Sequence, residues 1–153
     1  MKILVTGAGG LIGSEAVEYF AKQGHVIVGI DNNMRSVFFG PKGSVHVRLN
    51  QLKKLENVTI LNIDIRDGYK IYDLCLVHKF DVIIHCAAQP SHDWAVKDPQ
   101  IDFKVNANGT LNVLEAARQT SKPIFNASPV AKIKCFLLDS SMALFITLFS
   151  EVN

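Results

Sequence analysis

Three glycines near the start of the chain have the spacing of a phosphate-binding turn. In ILVTGAGGLIGSEAVEYF, Gly7, Gly10 and Gly13 form a GxxGxxG pattern between an apolar run and an amphipathic one. Such glycines permit a tight turn, let the main chain approach a pyrophosphate, and let a helix pack against a strand. The free amides of that helix, which begins with Leu11 and Ile12, would face the phosphates. An ordinary glycine-rich turn is the alternative, since the spacing differs from GxGxxG.

A carboxylate follows at the distance expected for a dinucleotide site. Asp31 ends the second predicted strand, about 20 residues beyond the glycines, where it can accept hydrogen bonds from both hydroxyls of an adenosine ribose. It would also repel a 2′-phosphate, which favours NAD over NADP. The alternative is a solvated aspartate that opens a turn with Asn32 and Asn33. We include Asn32 and Arg35 in the predicted cofactor site, although a guanidinium can also bind a 2′-phosphate.

The elements that would position these groups alternate along the chain. The predicted strands are near-continuous Val, Ile and Leu runs at residues 2–6, 25–31, 58–64 and 81–88. The predicted helices cover residues 11–23, 70–79 and 105–120, with a loop and a short helix within 32–56. Such strands are typical of a sheet covered by helices on both faces. The sequence therefore predicts an α/β fold with a Rossmann-like, doubly wound parallel sheet.

Composition narrows the classes of function. The 153 residues carry 16 basic and 14 acidic side chains, scattered along the chain with a net charge of +2. This pattern predicts no nucleic-acid partner. Cys75, Cys86 and Cys135 are widely spaced and lack a CxxC or metal-binding pattern, which favours a reducing, cytoplasmic location. The short apolar run at the N-terminus does not resemble a secretory signal, and no membrane partner is expected.

Several motifs together resemble one known family. TGAGGLIGS, DNNMRS, DIRD, HCAAQPS and VNANGTLNVLEAAR look like successive landmarks of the extended short-chain dehydrogenases/reductases, the NAD-dependent nucleotide-sugar epimerases and dehydratases. The resemblance covers roughly residues 1–119. Within the family, residues 87–118 are most similar to the CDP-tyvelose epimerases, also called CDP-paratose 2-epimerases. The resemblance implies NAD as cofactor and, in full-length relatives, a nucleotide-sugar substrate that is epimerised by transient oxidation.

The resemblance also implies roles for residues at two strand ends. Asp64 and Ile65 match an acidic-apolar pair in which the carboxylate takes the adenine amino group and the apolar side chain packs on the ring. The alternative is a strand end with a turn-forming aspartate. Ala87, Ala88 and Gln89 match a small-small-polar strand end that leaves room for the nicotinamide ribose and the pyrophosphate. Taken alone, the alanines indicate only tight packing.

Further polar residues follow the fourth strand. Asn106 matches an asparagine that starts the next helix beneath the nicotinamide, and a simple N-cap is the alternative. Ser91, His92 and Trp94 lie in a predicted loop at the carboxyl ends of the strands, where open α/β sheets bind ligands. They are candidates for sugar or nucleotide contacts, unless the loop is merely solvated. His85, within an apolar strand, is predicted to be a core residue with satisfied hydrogen bonds and not a catalyst.

The family's catalytic pair is missing from this sequence. Relatives place a Tyr-x-x-x-Lys pair on the helix after the fifth strand, where the lysine lowers the tyrosine pKa so that the phenolate can take a hydroxyl proton. None of Tyr19, Tyr69 and Tyr72 has a lysine four residues on, so no catalytic residue is assigned. Residues 123–130 read as an altered fifth strand, with Ser128 at the family's Ser/Thr position.

The end of the chain resembles nothing in the family. We predict an NAD-binding domain over residues 1–126 and a divergent apolar tail over 127–153, in a truncated chain without the C-terminal substrate domain. The apolar run at 135–149 is short for a transmembrane helix, which needs about 20 residues. The chain is then the NAD-binding portion of an epimerase, inactive alone, or a catalytically dead module that docks through its tail, or a nonfunctional remnant. A homodimer or association through the tail stays open.

Overall fold

A parallel sheet forms the centre of the molecule. The structure is a computed structural model that describes residues 1–126. The predictions for Ser128, Cys135 and the tail over 127–153, with its apolar run at 135–149, lie outside the described residues. Within them the strands, all parallel, run in the order β3-β2-β1-β4-β5. Their bounds are β1 Lys2–Thr6, β2 Val26–Ile30, β3 Val58–Leu61, β4 Val82–His85 and β5 Ile124–Asn126.

Helices connect these strands in sequence order. The α-helices are α1 Leu11–Lys22, α2 Arg35–Phe39, α3 His46–Leu52, α4 Gly68–His78, α5 His92–Lys97, α6 Pro99–Phe103 and α7 Thr110–Gln119. A short 3-10 turn at Pro41–Gly43 precedes α3, and a π-helical turn at Lys104–Gly109 joins α6 to α7. The predicted Rossmann-like, doubly wound fold is confirmed, since successive crossovers cover both faces of one parallel sheet.

Each face of the sheet has its own apolar layer. On one face Leu4, Val28 and Ile83 pack with residues of α4 and α7. On the other face Ile3 and Ile27 pack with residues of α1 and α3. All these strand residues are almost fully buried, and each large apolar side chain so buried stabilises the fold by roughly 1.5 to 3 kcal/mol. The continuous apolar strands of the sequence therefore reflect burial on both faces.

Three predicted element bounds differ from the observed ones by three residues or more. The strands predicted at 58–64 and 81–88 end earlier, at Leu61 and His85, because the chain leaves the sheet there to form turns at its edge. The predicted loop after β4 contains α5 and α6, so the helix predicted to start near residue 105 is preceded by helical residues from Pro99. The sequence lacks a strong signal for these helices because neither buries a side chain fully.

Strand register brings distant residues to one edge. Thr6, the last residue of β1, lies opposite Ile30 of β2 and His85 of β4. The turns that follow these strands therefore leave the sheet side by side, at its carboxyl edge. Within the described residues, the structure contains no helix with both the length and the apolar character needed to cross a membrane.

Candidate functional site

An open cavity of about 320 Å³ lies at the carboxyl edge of the sheet. Its walls come from the turns after β1, β2, β3 and β4. The predicted cofactor residues that line it are Gly7, Gly10, Leu11, Ile12, Gly13, Asp31, Asn32, Arg35, Asp64, Ile65, Ala87 and Ala88. Gln89 and Asn106 are not among the lining residues. The structure thus brings most of the predicted residues together in one place.

Close packing explains two of the glycines. Gly7 has a φ of +67°, and a Cβ there would lie 2.8 Å from the main-chain nitrogen and Cα of Ala87. A Cβ on Gly13 would lie 2.0 Å from the carbonyl oxygen of Gly7. Both contacts are with main-chain atoms, which cannot rotate away. Gly7 and Gly13 are therefore required by the fold itself.

Gly10 is different, because the protein leaves more room beside it than beside Gly7 or Gly13. Its φ of −70° and ψ of 171° are extended values that any residue can adopt. A Cβ on Gly10 would approach only the carbonyl oxygen of Gly7, at 3.2 Å. Gly10 also lines the cavity. A side chain at this position would thus fill space that is otherwise free for a ligand.

The N-terminus of α1 supplies unpaired main-chain donors. The amides of Leu11, Ile12 and Gly13 belong to the first turn of the helix, where no intrahelical acceptor exists. All three residues line the cavity, and the N-cap residue Gly10 has no side chain to satisfy them. The positive end of a 12-residue helix therefore faces the cavity, an arrangement that suits a phosphate group.

Asp31 fixes the glycine turn and also lines the cavity. Its Oδ2 accepts a hydrogen bond from the amide of Gly9 at 2.9 Å, and its Oδ1 accepts one from the amide of Asn33 at 2.7 Å. The predicted ribose contact of Asp31 and its alternative role in opening a turn are therefore compatible, because the carboxylate opens a turn and still borders the cavity. A carboxylate has about four acceptor positions, so acceptor capacity remains for ribose hydroxyls.

A second carboxylate, that of Asp64, is held by its neighbours. It accepts hydrogen bonds from Asn32 Nδ2 at 2.9 Å and from Arg66 at 2.6 Å to Nη2 and 3.0 Å to Nε. Burial pushes the pKa of Asp64 upward, but the hydrogen bonds from Arg66 outweigh it and hold the pKa below its ordinary value. The carboxylate is therefore ionised at neutral pH. Arg66 stands within the DIRD motif, but no pattern in the sequence singled it out as a partner of Asp64.

Apolar side chains complete the wall near α2. Met34, Phe38 and Val45 line the cavity beside the predicted residues. The guanidinium of Arg35 lies over the ring of Phe39, 4.8 Å from Cζ to the ring centroid. These apolar residues were missed because residues 32–56 have no clear periodicity, so only the tertiary structure shows which of them face the cavity.

Gln89 and Asn106 support the cavity wall from behind. The side-chain Oδ1 of Asn106 accepts a hydrogen bond from the main-chain amide of Gln89 at 2.8 Å. Asn106 lies inside the π-helical turn and neither starts nor caps a helix, so its predicted placement at a helix start is wrong. The register of this region was misjudged because α6 already provides helical residues upstream. A direct contact of either residue with a cofactor stays a prediction.

His85 is buried, as predicted for a core residue. Its Nδ1 lies 2.6 Å from Thr6 Oγ1 and its Nε2 lies 3.1 Å from Thr110 Oγ1. Thr6 Oγ1 already accepts bonds from the amides of Cys86 and Ala87, so its hydroxyl donates to Nδ1 and the ring proton is on Nε2. Burial lowers the pKa of His85 to about 4. The ring is therefore neutral and its hydrogen-bonding capacity is satisfied.

The side chains of Ser91 and Trp94 make hydrogen bonds within the protein. Ser91 is buried and its Oγ accepts a hydrogen bond from the amide of Trp94 at 3.3 Å, which caps α5. The indole Nε1 of Trp94 donates to the carbonyl oxygen of Phe38 at 2.9 Å, and the two rings contact edge to face. Helix α5 thus attaches to α2 beside the cavity, whereas His92 is exposed.

The described cysteines are free thiols. Cys75 is buried and Cys86 is partly buried, and burial raises the pKa of each to about 11. Both are therefore protonated at neutral pH, and neither is an activated nucleophile. Among residues 1–126 no cluster of three or more His, Cys, Asp or Glu side chains is arranged to hold a metal ion.

The site geometry defines a class of protein. In open α/β sheets a dinucleotide lies across the carboxyl ends of the strands, with its pyrophosphate at the first glycine turn and its ribose at a carboxylate after the second strand. This chain has a glycine turn, a helix N-terminus and Asp31 around one cavity at that edge. The fold is that of the Rossmann-type dinucleotide-binding proteins, and the cavity has the features with which such proteins bind a dinucleotide.

The family follows from comparison with known sequences. The model of the NAD dependent epimerase/dehydratase family matches residues 3–131, and the chain belongs to this family. CDP-paratose 2-epimerase of Salmonella typhi is 34% identical over 119 residues, which are 78% of this chain and 33% of that protein. UDP-glucose 4-epimerase of Mycolicibacterium smegmatis is 36% identical over 118 residues, 77% of this chain and 35% of that protein. The family resemblance is confirmed.

Solved structures show the same relationship. UDP-glucose 4-epimerase of Thermus thermophilus in complex with NAD has a TM-score of 0.64 and 31% identity, over 79% of this chain and 35% of that one. UDP-glucose 4-epimerase of Thermotoga maritima with UDP-glucose has a TM-score of 0.66 and 30% identity, over 80% of this chain and 35% of that one. The chain spans about a third of the length of the curated relatives it matches.

Proposed function

We propose that residues 1–126 bind NAD in the cavity at the carboxyl edge of the sheet, as the NAD-binding portion of a nucleotide-sugar epimerase or dehydratase. The observation that carries the proposal is Gly10, which borders the cavity with an extended backbone, and whose added Cβ would approach only the carbonyl oxygen of Gly7, at 3.2 Å. Beside it stand the unpaired first-turn amides of α1, and Asp31 lies on the same cavity. This combination fits a diphosphate joined to a ribose.

The cofactor would lie across the carboxyl edge of the sheet, with its adenine end toward β3 and its nicotinamide end toward β4. The pyrophosphate would receive hydrogen bonds from the amides of α1, and the adenosine ribose would donate to Asp31. The adenine would lie between Asp64 and Ile65, and the nicotinamide end would extend toward Ala87 and the strand end of β4. Bound NAD supplies a hydride acceptor and donor, while the residues named here bind it and orient it.

We infer that the chain alone does not turn over a nucleotide sugar. In the part of the chain that the structure describes, the residues that line the cavity include no tyrosine and no lysine. Tyr19 on α1 and Tyr69 on α4 are largely exposed. A sugar hydroxyl held beside the nicotinamide would therefore lack a proton acceptor of the Tyr-Lys type. A nucleotide sugar is the proposed substrate of the longer relatives and not of this chain by itself.

Replacing Asp31 with alanine tests the ribose contact. We expect the dissociation constant for NAD to rise by about 10- to 100-fold, because two hydrogen bonds to a charged acceptor are worth roughly 1.5 to 3 kcal/mol each before compensation. The variant also leaves the amides of Gly9 and Asn33 without their acceptor. That loss would weaken the binding of NAD and the binding of NADP equally. Calorimetric titration with NAD and NADP separates the effects, because only the loss of charge shifts the NAD-to-NADP preference. An unchanged preference would count against the ribose contact.

Replacing Gly10 with valine tests the diphosphate contact. We expect binding of NAD and NADP to fall together by on the order of 100-fold, because the new side chain occupies the space of the pyrophosphate. The melting temperature should fall by only a few degrees, since the backbone at Gly10 has extended values and the nearest atom to a Cβ, a carbonyl oxygen, is 3.2 Å away. Tight NAD binding by this variant would place the cofactor elsewhere.

The alternative function uses the end of the chain. A catalytically inactive module that docks through residues 135–149, or a homodimer formed through them, rests on residues outside those described, so it remains a prediction. Removing these residues would abolish co-purification of a partner or self-association if the alternative holds, and would leave NAD binding intact if the main proposal holds. The free thiols of Cys75 and Cys86 support the proposed reducing, cytoplasmic location.

A further inference from the structure

Asp102, on α6, contacts two side-chain amides behind the cavity wall. Its Oδ1 accepts a hydrogen bond from Gln89 Nε2 at 3.1 Å and another from Asn106 Nδ2 at 2.9 Å. Gln89 is only 2% exposed. One carboxylate oxygen therefore joins the turn after β4 to the π-helical turn before α7.

Each of these amides in turn holds a stretch of main chain. Asn106 accepts from the amide of Gln89 at 2.8 Å and donates to its carbonyl oxygen at 3.3 Å. The side chain of Gln89 donates to the carbonyl oxygen of Ser91 at 2.9 Å and accepts from the amide of Ser91. The main chain from Gln89 to Ser91 is thus held by two side-chain amides, each of which uses both its oxygen and its nitrogen.

The carboxylate of Asp102 favours one of the two orientations of each amide. An amide group has nearly the same shape after a 180° flip, but the flip exchanges its donor and acceptor ends. An ionised carboxylate only accepts hydrogen bonds, so Asp102 pairs with the nitrogen ends of both amides. The oxygen ends are then left facing the main-chain amides of Gln89 and Ser91, as each pair requires.

This network lies directly behind the cavity. Gln89 stands between Ala88 and Pro90, and both neighbours line the cavity. Ala87, which precedes Ala88, packs closely on Gly7. A Cβ added to Gly7 would overlap the main chain of Ala87. Small shifts of the turn after β4 would therefore change both the cavity wall and its contact with the glycine turn.

We propose that Asp102 is a positioning residue of the cofactor cavity, which fixes the orientation of the Gln89 and Asn106 amides and thereby holds the wall formed by residues 87–90. The importance of this wall for a ligand rests on the proposed NAD binding. Asp102 itself does not line the cavity, so its effect on binding acts through the turn.

Three variants, two at Asp102 and one at the N-cap of α6, test the proposal. Asp102→Ala removes the acceptor, whereas Asp102→Asn keeps one carbonyl oxygen that can accept from both amides. Asp98→Ala is the matched control, because Asp98 Oδ1 accepts from the amide of Ile101 at 3.0 Å and caps the same helix without touching the network. For each protein we would measure NAD affinity by calorimetry, the melting temperature, and hydrogen exchange at the amides of Gln89 and Ser91. Asp102→Ser replaces Asp102→Ala if the latter does not accumulate as folded protein.

The expected pattern separates positioning from general stability. Asp102→Ala should weaken NAD binding about 10-fold and speed exchange at Gln89 and Ser91 about 10-fold or more, because both amides lose the partner that orients them. Asp102→Asn should give smaller losses than Asp102→Ala in both measurements, because it keeps an acceptor oxygen but can also present its nitrogen to the two amides. Asp98→Ala should lower the melting temperature and change neither measurement by more than about 2-fold.

Other outcomes contradict one idea or the other. If exchange at Gln89 and Ser91 is unchanged in Asp102→Ala, or if Asp98→Ala gives the same losses, Asp102 has no positioning role. If Asp102→Ala speeds exchange but leaves NAD affinity unchanged, the proposed effect on the cavity is wrong. If the unmodified chain does not bind NAD, the proposed function fails, and the exchange measurements alone decide the role of Asp102 in orienting the amides.

Discussion

Gly13→Ala is expected to lower the free energy of unfolding by about 3 kcal/mol or more, the upper part of the range for overpacking. The added Cβ would lie 2.0 Å from the carbonyl oxygen of Gly7 and 2.7 Å from its carbonyl carbon. Neither atom can rotate away, so α1 must move off the end of β1. Against a total stability of about 5 to 15 kcal/mol, such a loss removes a large share of the fold's stability.

Urea unfolding of Gly13→Ala and Gly10→Ala makes the comparison. Gly10→Ala adds the same methyl group three residues earlier, where the nearest atom to the new Cβ is 3.2 Å away. It should cost about 1 kcal/mol or less, because the backbone at Gly10 has extended values. The two glycines are equivalent in the sequence pattern. Equal losses for the two variants would mean that the contact between Gly13 and Gly7 does not determine the turn.

Acid is expected to destabilise the protein through His85. Burial lowers the pKa of His85 from 6.5 to about 4, so the unfolded chain binds a proton more readily than the folded one. The stabilisation is complete above pH 6.5 and is lost as the pH falls toward 4, with a total of about 3 kcal/mol. Protonation would also place a proton on Nδ1, where the hydroxyl of Thr6 donates.

Unfolding measurements at pH 7 and pH 5 isolate this effect. The unmodified chain should lose about 2 kcal/mol more than His85→Gln over that interval, because glutamine does not titrate. Carboxylates such as Asp64, whose pKa is lowered, also lose stabilisation in acid, but they contribute equally to both proteins. Replacing the exposed His92 with glutamine is the matched control. The same pH dependence in the unmodified chain and in His85→Gln would contradict the assignment.

Much of the site was predictable because its signals are local in the sequence. The glycine spacing, the carboxylate after β2 and the continuous apolar strands each depend on neighbouring residues. Gly7, Gly13 and Asp31 accordingly lie on the cavity. The family resemblance added Asp64 and Ala87, which no local pattern singles out and which also line it.

Other parts of the site depend on contacts between distant residues. Arg66 pairs with a carboxylate that also bonds Asn32, and Trp94 bonds the main chain of Phe38, 56 residues earlier in the sequence. No pattern of adjacent residues encodes such pairs. Asn106 is the clearest example. The family resemblance singled out this asparagine, but the sequence did not predict the π-helical turn that contains it or the hydrogen bonds that its side chain makes with Gln89 and Asp102.

The sequence by itself determined that helices cover both faces of a parallel sheet and that the site lies at the carboxyl edge of that sheet. It could do so because apolar runs and glycine spacing are patterns of neighbouring residues. Only the tertiary structure decided which glycine the fold requires and which it leaves free for a ligand. An added Cβ would lie 2.0 Å from the carbonyl oxygen of Gly7 at position 13, but 3.2 Å from it at position 10. Such distances depend on how α1 packs against β1, and the packing of two elements is a property of the folded chain.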